Sequence, residues 1–221
     1  MLGFGAGQAP PVIPVTIAYT ATASSNANAV SYTFGSVAIG TAAANRRVVI
    51  AVGAYYGEIS SMTIGGVSAV YHVGNAADRN ASNVYMGEIW SAPLATGTTA
   101  TIVTTFTTSI YRMGISAFAL YGASATATDT AVDDDLSNPN TVAIDIVKGG
   151  LAVGIVGQGV ARAATWTNMT ERNEVALESG VSFSAADTNT AVADDTTLAI
   201  TVNYGGGVNQ QGLSVASFGP E

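Results

Sequence analysis

The chain has 221 residues, 48% of them hydrophobic and only 10% charged, with a single histidine and no cysteine. An average globular domain carries roughly 25% charged residues, so the polar surface here has to come from Thr, Ser, Asn and Gly; disulfides, thiolate metal sites and a zinc centre of three or four nitrogen or sulfur ligands are excluded. Residues 1–125 carry a net charge of +1 and the remainder −9, so nucleic acid, a polyanion, is repelled by one half and meets only scattered arginines on the other.

The opening Gly3-Phe4-Gly5-Ala6-Gly7 has no preceding strand and no following helix or lysine, so it reads as an arm rather than a phosphate loop. Ala9-Pro10-Pro11-Val12-Ile13-Pro14 continues it in extended form, because proline fixes φ and restricts the residue before it. An arm of this kind, residues 1–14, lies along a partner or adds a strand to its sheet, with Leu2, Phe4, Pro10, Pro11 and Ile13 as its candidate contacts. The stretch lacks a basic n-region and a long apolar h-region, so no secretory signal is expected. No run reaches about 18 apolar residues, so neither a transmembrane helix nor a membrane partner is expected.

After the arm, short β-branched runs bounded by Gly, Asn, Asp or Pro recur, and helical periodicity is nearly absent, which predicts an all-β sandwich or barrel. Strands are expected near residues 15–20, 30–34, 47–54, 61–64, 67–72, 83–91, 99–105 and 114–120. A second series is expected near 141–147, 151–156, 164–167, 180–185, 197–203 and 212–218. The series match in order: Val48-Val49-Ile50-Ala51-Val52-Gly53 with Leu151-Ala152-Val153-Gly154-Ile155-Val156, Met62-Thr63 with Trp166-Thr167, and Val84-Tyr85-Met86 with Val181-Ser182-Phe183. The Thr99 and Gly114 strands likewise match those at Thr197 and Gly212. This predicts an internal repeat, with a first jelly-roll-like unit over 15–122, an acidic linker over 123–140 and a second unit over 141–221. Two tandem sandwiches, or one sandwich of two related halves, both satisfy the pattern. The closing strand of each unit is almost uniformly apolar and should be central, with Ala and Ser allowing another sheet or subunit to approach its second face.

Residues suited to chemistry are sparse. His72, in Val70-Tyr71-His72-Val73, has too few acids near it in sequence for a Ser-His-Asp arrangement, and a strand position is expected for it. Asp133, Asp134 and Asp135 offer oxygen ligands to calcium but lack the alternating spacing of a dedicated loop, so they read first as a solvated linker. Glu58, Glu88, Glu174 and Glu178 are the carboxylates available for glycoside hydrolysis, and no spacing brings two of them together. Neither a catalytic site nor a cofactor is expected. Trp90 and Trp166 lie in strand-like runs and should be core, whereas Tyr55 and Tyr56, past a strand end, are candidates for stacking against a glycan.

The run Arg46-Arg47-Val48-Val49-Ile50-Ala51-Val52-Gly53, then Met62-Thr63-Ile64-Gly65-Gly66-Val67, then Ile89-Trp90-Ser91-Ala92-Pro93-Leu94-Ala95-Thr96-Gly97-Thr98 and the closing 114–122 strand resemble tailed-bacteriophage and gene-transfer-agent virion proteins. The opening Met1-Leu2-Gly3-Phe4-Gly5 resembles the start of many phage structural proteins. The resemblance covers most of the first unit; the second lacks Thr-Ile-Gly-Gly-Val and the Pro-x-x-Thr-Gly turn. It implies a non-enzymatic particle component, a head decoration protein or a fibre or spike base. Its partners would be capsid or tail proteins and further copies of itself, and it would be assembled in the host cytoplasm and released by lysis. A tail-fibre or carbohydrate-binding module recognising host surface glycans is the alternative, and a glycan-degrading enzyme the third reading.

Overall fold

The computed structural model describes residues 11–74, 85–134, 138–159, 162–191, 193–206 and 211–221. Among these the regular structure is β throughout, apart from one 3-10 turn at Glu178–Gly180. Among the described residues no helix is long and apolar enough to cross a membrane.

Among the described residues nine strands precede residue 122: β1 (Thr16–Ser25), β2 (Ala29–Ala38), β3 (Arg46–Tyr55), β4 (Ile59–Ile64), β5 (Val67–Ser68), β6 (Val70–Gly74), β7 (Tyr85–Pro93), β8 (Thr99–Ile110) and β9 (Met113–Tyr121). They form two antiparallel sheets, ordered β1-β9-β3-β7-β6 and β2-β8-β4-β5. Alternation explains the outer sheet: in β8, Ala100, Ile102, Thr104 and Phe106 turn inward while Thr99, Thr101 and Thr107 meet solvent. Its inward residues pack with Phe34 and Ile64 against Ile50, Val52, Trp90 and Ile115 of the inner sheet.

Eight strands follow among the described residues: β10 (Asp129–Asp133), β11 (Asn140–Ile146), β12 (Leu151–Gln158), β13 (Ala164–Thr167), β14 (Thr170–Ala176), β15 (Ser182–Asp187), β16 (Asp195–Tyr204) and β17 (Gln211–Phe218). Their sheets are ordered β10-β17-β12-β15-β14 and β11-β16-β13. The two five-stranded sheets correspond position by position in chain order, as do the outer sheets apart from the short β5.

The five-stranded sheets face one another, which makes four layers in all. In β12, Ala152 and Val156 belong to the core of the second sandwich, while Leu151, Val153 and Ile155 join Val49, Ala51, Phe118, Leu120, Phe183 and Phe218 in a separate core between the halves. Strands β12 and β17 are therefore buried at every position, and β3 and β9 at all but their last. The uniform hydrophobicity of these runs reflects burial on two faces. Polar links reinforce the junction: Ser214 Oγ donates to the Gly87 carbonyl oxygen at 2.8 Å, and Ser116 Oγ to Asn173 Oδ1 at 2.8 Å.

Three expectations change. The 123–140 stretch is not only a linker, because Asp129–Asp133 forms edge strand β10 against β17; its Asp and Asn content marked a break, but alternate residues still find a ladder. The single strand expected over 67–72 is two, β5 in the outer sheet and β6 in the inner, so the chain changes layers at Ala69. Strand β14, which is polar and mostly exposed, had no apolar alternation to reveal it.

Candidate functional site

The strands run between two ends of the molecule. One end holds Val15, the start of β3 at Arg46 and the C-terminus: Val15 N–H donates to the Gly149 carbonyl oxygen at 2.8 Å and Glu221 N–H to that of Gly122 at 3.0 Å. Leu2, Phe4 and Pro10 of the arm lie outside the described residues. Pro11 and Ile13 do not stand clear of the chain: with Val12 they line a recess of about 450 Å³ beside Lys148, Pro220 and Glu221. Gly149 accommodates this, since a Cβ there would lie 2.9 Å from Val12 Cγ1. Ile13 is nonetheless 78% exposed.

The opposite end, a ten-residue strand away and so about 30 Å distant, carries Tyr55 and Tyr56. The structure adds Tyr111, from the β8–β9 turn, to this pair. The ring centroids are 4.7 Å apart for Tyr55–Tyr56, 6.3 Å for Tyr55–Tyr111 and 6.0 Å for Tyr56–Tyr111. The rings are inclined at 67°, 58° and 69°, so they form a walled cluster rather than one flat stacking platform. Tyr56 holds φ at +44°, a left-handed conformation rarely adopted by a bulky residue. Burial raises the pKa of its hydroxyl, and the neighbouring tyrosines raise it further. Tyr111 lies 55 residues from Tyr56, so the sequence alone did not show that it joins this pair.

The two arginines that open β3 have separate tasks. Arg46, 1% exposed, donates to the carbonyl oxygens of Leu94 at 2.7 Å, Thr96 at 2.7 Å, Gly97 at 2.9 Å and Gly40 at 2.8 Å. The basic residue and the Pro-Leu-Ala-Thr-Gly turn are thus one unit, and the second sandwich, with Gly149-Gly150 before β12, lacks both parts.

Arg47 donates to Ser91 Oγ at 3.1 Å, and His72 Nε2 lies 2.7 Å from the same oxygen. The Ser-His contact that spacing did not suggest therefore exists, but it is not an activated nucleophile. Ala127 N–H points at His72 Nδ1 from 3.4 Å, so Nδ1 is the acceptor and Nε2 carries the proton that goes to Ser91. Ser91 is wholly buried, and the imidazole stands edge-on to Phe218 across the junction of the halves, with ring centroids 5.1 Å apart. Burial, and secondarily Arg47, hold the imidazole pKa down at about 4.

Of the calcium candidates, Asp133 accepts the Thr141 N–H at 2.7 Å, so its carboxylate ties β10 to β11. Asp135 lies outside the described residues, and among those described no group of three His, Asp or Glu is placed to hold a metal. Glu88 is buried and accepts from Trp90 Nε1 at 2.7 Å. Trp90 is core as expected, whereas Trp166 is only half buried, at the margin of the second core. The neighbour of Glu174 is Glu171, which raises the Glu174 pKa after burial itself. A cleft of about 600 Å³ opens at the Val15 end of the second sandwich, lined by Asn168, Met169, Thr188, Asn189, Asp194 and Leu198 among others. No family model, curated protein or solved structure matches this chain.

Proposed function

We propose that the chain is a non-enzymatic virion surface protein, a head decoration protein or fibre base, anchored at one end and presenting loops at the other. The observation that carries this reading is the separation of the two ends. The arm and the C-terminus share one end, and the tyrosine cluster lies at the other. Four layers with cores between each neighbouring pair suit a load-bearing block. The exposed positions of β8 and β13 are largely threonine, a neutral face suited to close packing with other subunits, and among the described residues the edge strands β6 and β14 each keep an unpaired side open to pairing. The partners are capsid or tail proteins and further copies of the chain, and the particle is assembled in the host cytoplasm and released by lysis. The matching strand orders support descent of both halves from one duplicated unit.

Co-sedimentation with particles, followed by electron microscopy, tests the reading. Full-length protein should add density to heads or tails. Removal of residues 1–10, or Ile13→Ser, should abolish it while leaving the fold intact. A chain that remains monomeric and never binds particles would refute the proposal.

The alternative, recognition of a host surface glycan, is favoured by the contact of Tyr55, Tyr56 and Tyr111, with Tyr111 47% exposed. Glycan-array binding that disappears in Tyr56→Ala and Tyr111→Ala would support it, and no binding to any host polysaccharide would remove it.

A further inference from the structure

A second group of polar and aromatic residues lies on the open edge of the second sandwich, between β13 and β14. The register of β14 on β15 sets Glu171 opposite Ala186 and Glu174 opposite Ser184. Cross-strand partners share a face, and Ala186 belongs to the core of the second sandwich, so both glutamates stand at the rim of that interior.

Trp166 enters the same space over Gly154, where an added Cβ would come within 3.1 Å of the indole. Its Nε1–H donates to Ser184 Oγ at 2.8 Å, and Ser184 donates in turn to Glu171 Oε1 at 2.7 Å. Glu174 Oε2 accepts the Ala164 N–H at 3.2 Å, and Ala164 pairs across the ladder with Tyr204.

Two buried atoms in this region have no hydrogen-bond partner: the Tyr204 hydroxyl and Gln158 Oε1, on side chains that are each 1% exposed. Buried polar atoms are nearly always paired, so such vacancies point to something that completes them. The Tyr204 pKa is raised well above its ordinary value, first by burial and then by Glu174 and Glu171, so the hydroxyl lies in the field of both carboxylates. The nearby guanidinium groups are engaged elsewhere, Arg162 with the Gly205 carbonyl oxygen and Arg172 with Asp187.

The edge therefore presents two carboxylates and a half-buried indole, with an unpaired amide oxygen and phenol oxygen buried behind them, an excess of acceptors beside an aromatic face. We propose that it is a binding site for a small protonated amine of the amino-sugar class. The ammonium has three N–H donors for the carboxylate and amide oxygens, a cation near an indole is attracted to its face, and the sugar ring covers the exposed part of Trp166. The site is separate from the tyrosine cluster and does not depend on attachment to a particle.

The test uses the full chain labelled at its tryptophan indoles. The two N–H resonances are assigned with Trp90→Phe and followed by NMR at neutral pH during titration with glucosamine, n-pentylammonium and glucose to about 20 mM, where a millimolar site saturates. Glucosamine should move the Trp166 resonance to saturation and leave that of Trp90 in place, and glucose should not. A matching shift with n-pentylammonium supports the amine as the recognised group. Glu174→Gln, at an exposed position whose fold is checked by the Trp90 resonance, should weaken glucosamine binding about tenfold or more. No saturable shift with either amine, glucose equal to glucosamine, or unchanged binding by Glu174→Gln would each overturn the proposal.

Discussion

The ring of Phe183, in the second sandwich, rests on Gly114 of the first so closely that a Cβ on Gly114 would fall 2.0 Å from the ring. Gly53, the partner of Gly114 across β3 and β9, completes the socket, since its own added Cβ would lie 2.5 Å from Phe183 Cβ. Two paired glycines thus receive one aromatic ring from the other half of the chain, and that contact sits inside the core that joins the halves.

Gly114→Ala should therefore destabilise the protein by about 1–3 kcal/mol through overpacking, and Phe183→Ala by about 3–5 kcal/mol through the cavity it leaves. Combining Gly114→Ala with Phe183→Leu should cost less than the sum of the separate changes, because the smaller side chain makes room for the methyl group. Denaturant unfolding of the parent, the three single variants and the double variant measures this, and strict additivity of Gly114→Ala and Phe183→Leu would show that the socket is not shared.

Arg46→Met should cost about 2–4 kcal/mol, since four carbonyl oxygens lose their charged donor. Arg46→Lys should restore only a minority of that, because an ammonium cannot reproduce the planar fork that reaches Leu94, Thr96 and Gly97 together. Thermal unfolding gives the stabilities, and hydrogen exchange at residues 94–98 should accelerate in both variants.

His72 makes stability depend on acidity. The folded-state pKa of about 4 lies below the ordinary value of about 6.5, so the unfolded chain takes up the proton first as pH falls. Stability should be level above about pH 6.5 and decline toward pH 4, by on the order of 2 kcal/mol once partial solvent screening of the ring is allowed for. Arg47 faces the imidazole, and Glu221 partly offsets the Arg47 charge. Urea unfolding of His72→Gln between pH 7 and 5 should show a flatter dependence than the parent, and equal slopes would rule out this origin.

Arg172 donates twice to Asp187, at 2.6 and 2.8 Å, and the Asp187 side chain is 1% exposed against 34% for Arg172. Arg172→Met should cost about 2–3 kcal/mol by leaving a buried carboxylate unpaired, less than a fully buried pair because the arginine is partly solvated. Arg172→Met combined with Asp187→Asn should recover part of the loss, which a double-mutant cycle measures.

Strand positions were legible wherever residues alternated or formed β-branched runs between turn residues, as in Thr99–Ile110 and Leu151–Gln158. Polar Thr170–Ala176 was not, since it is held by β15 and not by its own pattern. Among the candidate residues, the place of Tyr55 and Tyr56 past a strand end was readable, but the addition of Tyr111 was not. The buried pair Arg46 and Arg47 read only as basic residues beside a strand, because a buried arginine is defined by the acceptors it meets, and Ser91, Leu94, Thr96 and Gly97 lie 44 to 51 residues away.

By itself, the sequence determined that this protein is all-β, that few charges solvate its surface and that Ala, Ser and Gly would let something approach the second face of its most apolar strands. These properties follow from side-chain chemistry and from the two-residue period of an extended backbone, both local. Only the tertiary structure decided that the other half of the same chain covers that face, that Phe183 fills the Gly53–Gly114 socket, and that Tyr204 and Gln158 are left with unpaired polar atoms beside two glutamates. Such outcomes depend on shape and hydrogen-bond matching between residues far apart in the chain, which no local period encodes.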